Sequence, residues 1–300
     1  MQSTAKAKAA KKEPAKKSRK RDMDGIVALA RERRLLLIIT LSNMWGDYGG
    51  VRQYLRWRGL PPRESWRAFT DAGLRDDLRA YARALVTHRN AATGVRYCDD
   101  PTIMAWEVMN EPRGDGLPDR GETVTATLTA VAEALHEAAP RQLVLAGDEG
   151  FDADLAPWES AWTTERARGW LGPARHESAS ALAASPAFDA ATVHLYPAAW
   201  GVPREEVEAW GERWITSHAA VAARHGKPLL VTEMGLRDRH ARASVMERWL
   251  RVARETPGVA MAMPWGLAVR GLPGRDDGFR WREGDDLGSV VARERAAWPR

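Results

Sequence analysis

The stretch Ile103-Met104-Ala105-Trp106-Glu107-Val108-Met109-Asn110-Glu111-Pro112-Arg113 decides how the rest of the chain reads. Apolar β-formers run from Ile103 to Met109, and Pro112 has no N–H to give a ladder, so the pattern predicts a buried strand that stops near Glu111. Period-two alternation sends Asn110 and Glu111 to opposite faces. Both can face one pocket only where the strand bulges or breaks. A carboxylate delivered by a strand end suits catalysis; a surface Glu that merely opens a loop is the alternative on this pattern alone.

Working outward, residues 24–34 read as a short amphipathic helix with Asp24 as its cap, and 35–41 as a continuous apolar strand buried on both faces. The polar, aromatic, Gly-rich loop Ser42-Asn43-Met44-Trp45-Gly46-Asp47-Tyr48-Gly49-Gly50 follows. Further strands are predicted over 143–146, 190–196, 228–232 and 258–265, and helices over 71–89, 122–139, 205–224 and 239–254. Residues 152–185 have poor periodicity and read as a long loop with a broken helix. Strand and helix thus alternate about six times, each strand apolar throughout, which argues for an α/β fold with a parallel sheet covered by helices. No Gly-x-Gly-x-x-Gly and no Gly-rich loop with Lys-Ser/Thr follows any strand, so nucleotide-binding doubly wound folds lose ground. A TIM barrel with its site at the C-terminal strand ends gains.

Composition sets the outer bounds. Three hundred residues at 44% hydrophobic can form one large α/β barrel. The formal net charge of +5 comes from Lys6, Lys8, Lys11, Lys12, Lys16, Lys17, Arg19, Lys20 and Arg21, without which the remainder is slightly acidic. This run, residues 1–22, is expected to be a disordered basic arm, with a nucleic-acid or targeting segment as the alternative; residues 23–300 are expected to form the catalytic domain. Cys98 is the only cysteine, so no internal disulfide can form. No membrane span and no signal peptide can be read in the chain. Fourteen tryptophans against four phenylalanines favour a surface suited to sugars, since Trp pairs a broad apolar face with a polar edge, although most will serve as core.

In a barrel the strand-end residues Asn43, Trp45, Asn110, Glu111, Asp148, Glu149, His194, Tyr196, Glu233 and Trp265 converge on one mouth. Glu111 and Glu233 are far apart in sequence yet equivalent in position. Such a pair can act on a glycosidic bond, one protonating the leaving oxygen and the other attacking the anomeric carbon or activating water. The proton donor needs a raised pKa, which a partly dry, Trp-walled pocket supplies. Metal chemistry is the competing use of these groups, but no His-x-x-x-His or Cys pairing supports it, so neither metal nor cofactor is expected. Ser-His-Asp chemistry lacks its Gly-x-Ser-x-Gly elbow.

Trp106-Glu107-Val108-Met109-Asn110-Glu111-Pro112-Arg113 resembles the signature of family-five glycoside hydrolases. Gly147-Asp148-Glu149-Gly150-Phe151, Val193-His194-Leu195-Tyr196-Pro197, Val231-Thr232-Glu233-Met234-Gly235, Pro264-Trp265 and the loop from Ser42 with Gln53-Tyr54 are similar to blocks of its β-mannanase subgroup. The resemblance implies a retaining endo-hydrolase of β-1,4-mannans, with Glu233 as nucleophile and Glu111 as acid/base. It gives Asn110 the 2-hydroxyl of the reacting sugar, His194 and Tyr196 the orientation of the carboxylates, and Trp265 the floor, with Trp45 and Glu149 also at the substrate. It further implies a monomer acting on extracellular polysaccharide, with no nucleic-acid or membrane partner. The family's barrel begins with two strands and an arginine near the nucleophile; here the basic arm stands in their place, so an N-terminally incomplete barrel of about six strands is expected. A cellulase-like specificity, or a weakened carbohydrate-binding relic, is the alternative.

Overall fold

Residues 22–47, 49–172, 175–237, 241–269 and 277–298 are described by a computed structural model of the chain. The expected basic arm lies outside these residues except for Asp22, which starts the fold. The described elements run α1 (Met23–Glu32), β1 (Leu37–Thr40), α2 (Val51–Trp57), α3 (Arg67–Thr70), α4 (Ala72–Val86), β2 (Ile103–Glu107), α5 (Glu122–Ala138), β3 (Leu143–Leu145), α6 (Glu165–Gly169) and α7 (Ala179–Ala184). They continue with β4 (Ala191–Leu195), α8 (Val207–Arg224), β5 (Leu229–Met234), α9 (Arg242–Glu255), β6 (Val259–Pro264) and α10 (Asp286–Ala297).

All strand pairing is parallel, in the orders β1-β2-β3 and β4-β5-β6. The two sheets join across the β3/β4 seam, where Asp189 N–H donates to the Val144 carbonyl at 3.0 Å and His194 N–H to the Glu149 carbonyl at 3.1 Å. The result is an arc of six consecutive (β/α)-barrel strands, as the alternation predicts. Each strand or its leading residue contributes to one interior layer: Ile38, Ala105, Leu145, Ala190, Leu230 and Met261. Outside the arc, α4 and α5 pack on the first three strands around Trp106, while α8 and α9 cover the last three around Trp214 and Trp249.

Two sequence expectations need correction. The 35–41 segment is not buried on both faces: its strand is only Leu37–Thr40, half-buried, and Leu35 and Leu36 are exposed. The cause is position, since β1 and β6 are the two edges of the arc among the described residues. Nor does Asp24 cap α1. Asp22 does so, accepting from Gly25 N–H at 2.9 Å, while Asp24 reaches across to Ala91 N–H at 2.8 Å and to His88 and Tyr97, tying α1 to the loop after α4.

Gln142 pins the approach to β2. Its amide nitrogen donates to the carbonyls of Tyr97, Asp100 and Ile103 at 2.8, 3.1 and 3.0 Å, and its oxygen accepts from the Trp106 indole at 2.7 Å. Removing that side chain strands buried acceptors and a buried indole N–H. Gln142→Ala should therefore lower the free energy of unfolding by about 2–4 kcal/mol in a urea titration. A change of less than about 0.5 kcal/mol would show that these bonds are replaced by water.

Candidate active site

The central strand continues past Glu107 by irregular pairing that swings from one neighbour to the other. Val108 and Met109 N–H groups donate to the carbonyls of Leu145 and Ala146, Asn110 N–H to Ser42, and Glu111 N–H to Gly147. Glu111 itself has φ of 52°, in the left-handed region that β-extended chains avoid. This is the break that the alternation demands, and it turns Asn110 and Glu111 into the same pocket. Gly147 makes the turn possible from the neighbouring strand: with φ of 87°, any Cβ there would stand 2.2 Å from the Met109 carbonyl oxygen.

His194 on β4 is the hub. Its side chain is 1% exposed, and Nδ1 lies 2.8 Å from Glu111 Oε1 and 3.6 Å from Glu233 Oε2. Carboxylates only accept, so Nδ1–H donates, the nearer bond going to Glu111. On the far side Tyr196 O–H donates to Glu233 Oε2 at 2.7 Å. Gly235 permits that approach, because a Cβ there would meet the Tyr196 ring at 2.6 Å. The second oxygen of Glu111 accepts the Trp45 indole N–H, and the Arg113 guanidinium lies over that indole, 5.0 Å from its centre. Arg113 also grips Glu149 with two bonds, at 2.5 and 2.6 Å. Asn110 donates its amide to Asn43 Oδ1 at 3.1 Å, which holds its side chain at the cavity wall.

These groups open into a cavity of about 370 Å³ lined by Asn43, Trp45, Asn110, Glu111, Glu149 and Glu233, with Tyr196 and Trp265 completing the wall. It also takes in Asp47, Arg113, Trp200, Asp277 and Phe279, which sequence reasoning does not assign to the site. Arg113 and Asp47 stand inside quoted motifs; Asp277 and Phe279 lie in a segment with no β-period or motif to mark them. Of the strand-end residues, Asp148 is not brought to the mouth. It is buried behind β3, where Thr192 Oγ1 donates to it at 2.6 Å. His194 also stands behind the carboxylates instead of lining the cavity, so its reach to substrate passes through them.

The electrostatics follow from crowding acids around two cations. Burial works against charge on His194, but Glu233, Glu111 and Glu107 outweigh it and push the imidazole up to about 10. Burial also works to raise Glu111, yet the His194 and Trp45 hydrogen bonds and the nearby Arg113 leave it below its usual range. Glu233, with only His194 and Tyr196 offsetting its burial, is raised. The site therefore has the opposite polarity to the sequence expectation of a raised Glu111. Nearby, Glu177 is wholly buried with no hydrogen-bond partner among the described residues. Burial, then Glu149 and Asp148, push its carboxyl well above the ordinary carboxylate value.

Parallel barrel strands, two carboxylates sharing one buried histidine and an open pocket walled by indoles define the glycoside-hydrolase class of barrel. A family profile described as GH family 5 beta-mannosidase-like matches residues 18–245. The chain belongs to glycoside hydrolase family 5, in its β-mannosidase-like branch. It is 37% identical over 229 residues to mannan endo-1,4-beta-mannosidase 3 of Oryza sativa subsp. japonica, covering 71% of this chain and 46% of that protein. With mannan endo-1,4-beta-mannosidase 1 of Solanum lycopersicum it shares 31% identity over 269 residues, covering 86% and 66%. The endo-beta-1,4-mannanase structure from Thermotoga petrophila superposes with a TM-score of 0.83 at 30% identity, covering 91% of this chain and 60% of that one. The chain thus spans about half the length of several curated relatives it matches.

Asp148 gives a test of these electrostatics. Burial pushes its carboxyl up to about 7 from an ordinary 3.8, Thr192 opposing, so between those values the folded state holds a proton that the unfolded chain releases. Stability falls as pH rises through that window. Asp148→Asn keeps the Thr192 acceptor and cannot ionise. Its melting temperature relative to the parent should climb from pH 4 to pH 8, and a gap that stays flat with pH would contradict the buried-acid assignment.

Proposed function

We propose that this chain carries the catalytic site of an endo-acting, retaining hydrolase of β-1,4-mannans. The observation that supports it most is the convergence of Glu111 and Glu233 on His194, with one oxygen of each carboxylate and the imidazole nitrogen all within 4.8 Å of one another. That spacing suits a covalent intermediate, for which carboxyls stand about 5–5.5 Å apart, and leaves too little room for the water an inverting pair requires. Glu233 attacks the anomeric carbon to form a glycosyl ester while Glu111 protonates the departing glycosidic oxygen. In the second half Glu111 takes a proton from water, which cleaves the ester and frees Glu233.

The reversed polarity of the site fits this sequence once the three groups are treated as one titrating unit. His194 holds the proton 2.8 Å from Glu111. As Glu233 bonds to carbon it gives up the negative charge that keeps His194 protonated. The imidazolium becomes more acidic, and its proton passes to Glu111 as the leaving oxygen draws one away. Asn110 and Trp265 hold the reacting sugar, Trp45 sets the Glu111 rotamer, and Glu149 anchors Arg113. The names of the relatives support a mannan substrate, and an extracellular setting is the one such a polymer suits. The reading needs no metal, cofactor or second subunit, since one chain supplies every group named.

Incubation with galactomannan and, separately, with cellulose tests the assignment. Mannooligosaccharides should appear from the first, with the β-anomer seen first by NMR. Release from cellulose alone would move the specificity elsewhere in the family. Glu111→Gln and Glu233→Gln should each cut the rate at least about 100-fold while oligosaccharide binding persists. If the parent binds mannooligosaccharide but cleaves neither polymer, the chain is a carbohydrate-binding relic.

A further inference from the structure

Trp265 follows β6, an edge strand among the described residues, and is 39% exposed at the pocket wall. A strip at 277–281 runs beside it. Ala268 N–H donates to the Trp281 carbonyl at 2.7 Å, Trp281 N–H to the Gly266 carbonyl at 3.1 Å, and the Trp281 indole to the Pro264 carbonyl at 3.2 Å. At the head of this strip stands Asp277. Its Oδ2 accepts the Trp265 indole N–H at 2.9 Å, and its Oδ1 accepts Phe279 N–H at 2.9 Å. Phe279 in turn packs edge-on against Tyr196, ring centres 5.0 Å apart, and Tyr196 holds Glu233. One carboxylate thus ties the exposed indole to the ring that braces the proposed nucleophile.

We propose that Asp277 is the positioning residue for the Trp265 platform, holding the indole by its N–H so that the ring face is fixed for the sugar that lies on it. The inference rests on the proposed function for the identity of that sugar, but the fixing of the ring does not. A loosely held indole loses rotational freedom when a sugar binds, and that loss comes out of the affinity. An indole already held by a charge-assisted bond has little left to lose. Asp277 is thereby a determinant of sugar affinity without contributing to bond cleavage.

Arg280 Nε also stands 3.8 Å from Oδ2, and Arg280→Gln, which removes that ion pair alone, should leave mannohexaose affinity as in the parent. The indole and turn duties of Asp277 can then be separated, because a carboxylate accepts on both oxygens whereas a carboxamide accepts on one. Asp277→Asn can keep the Phe279 turn bond but must then present an N–H₂ to the Trp265 N–H. If Asp277 only shapes the turn, this variant behaves as the parent. If it positions the platform, the dissociation constant for β-1,4-linked mannohexaose, measured by calorimetry, rises about tenfold with thermal stability unchanged. In kinetics the change appears in KM, with kcat retained. In a Trp265→Phe background, which lacks the N–H, the same substitution should add nothing.

A second readout needs no sugar. In protein labelled with 5-fluorotryptophan, the Trp265 resonance, identified by its loss in Trp265→Phe, should shift or broaden in Asp277→Asn. An unmoved resonance overturns the inference, as does a moved resonance with unchanged mannohexaose affinity. Should the parent bind neither mannohexaose nor cellohexaose, the proposed function fails while the fluorine spectrum still decides whether Asp277 holds the ring.

Discussion

Two carboxylates converge on one buried imidazole, and most of the site can be traced to what that contact requires. Glu111 follows β2 and Glu233 lies on β5, strands on opposite halves of the arc, and His194 between them is the one cation that offsets the burial of both. The imidazole in turn is held by its own strand and by the Trp214 indole, which donates to the His194 carbonyl at 2.8 Å. Trp214 belongs to α8 and stacks with Trp210, ring centres 4.6 Å apart, within a cluster that includes Trp158 and Trp200. One cluster of indoles is therefore a rigid backing for one histidine, and Trp45, Trp200 and Trp265 are the indoles that line the cavity.

Around this contact the protein stores acids in layers. Glu107 sits beneath Glu111, bound by Thr40 Oγ1 at 2.8 Å; Asp148 and Glu177 lie behind Glu149. Burial raises each of the three, so each holds its proton to a higher pH than an exposed carboxyl does. That weakens their competition with the cavity-facing carboxylates for the cationic charge of His194 and Arg113. A deeper layer of fully ionised carboxylates would draw the His194 proton inward and leave Glu111 without its donor.

The parts of this arrangement legible in sequence are those that obey a period. Uniformly apolar strands, the proline after Glu111 and the glycines after strand ends are local patterns, and they locate β2 to β6 and the residues at their C-termini. The edge character of β1 is not local: Leu35 to Leu41 reads as buried because nothing in those residues records that, among the described residues, no strand pairs on one side. Asp148 and Glu149 are adjacent in sequence and indistinguishable by motif, yet the pleat sends one to Thr192 and the other to Arg113. Asp277 is illegible for a third reason, since its role is defined by an indole twelve residues earlier and by no repeat. The polarity of the two carboxylates is likewise invisible until the distances to His194 are known.

Where each side chain is mounted divides the site into two mechanical halves. Glu111, Glu149, His194, Tyr196 and Glu233 follow or lie on β2, β3, β4 and β5, each with neighbouring backbone on both sides. Trp45 and Trp265 follow β1 and β6, the edges of the arc among the described residues, and both are more than one-third exposed. An edge strand has lost half of its ladder, so its loop moves at lower cost than those of interior strands. The groups proposed to handle protons are thus set back from the edge strands, while the surfaces proposed to grip sugar depend on side-chain ties: Trp45 on Glu111 and Arg113, Trp265 on Asp277. Anything that covers or strains the open side must act first on sugar affinity and only secondarily on chemistry. A change in the buried acids must act in the reverse order.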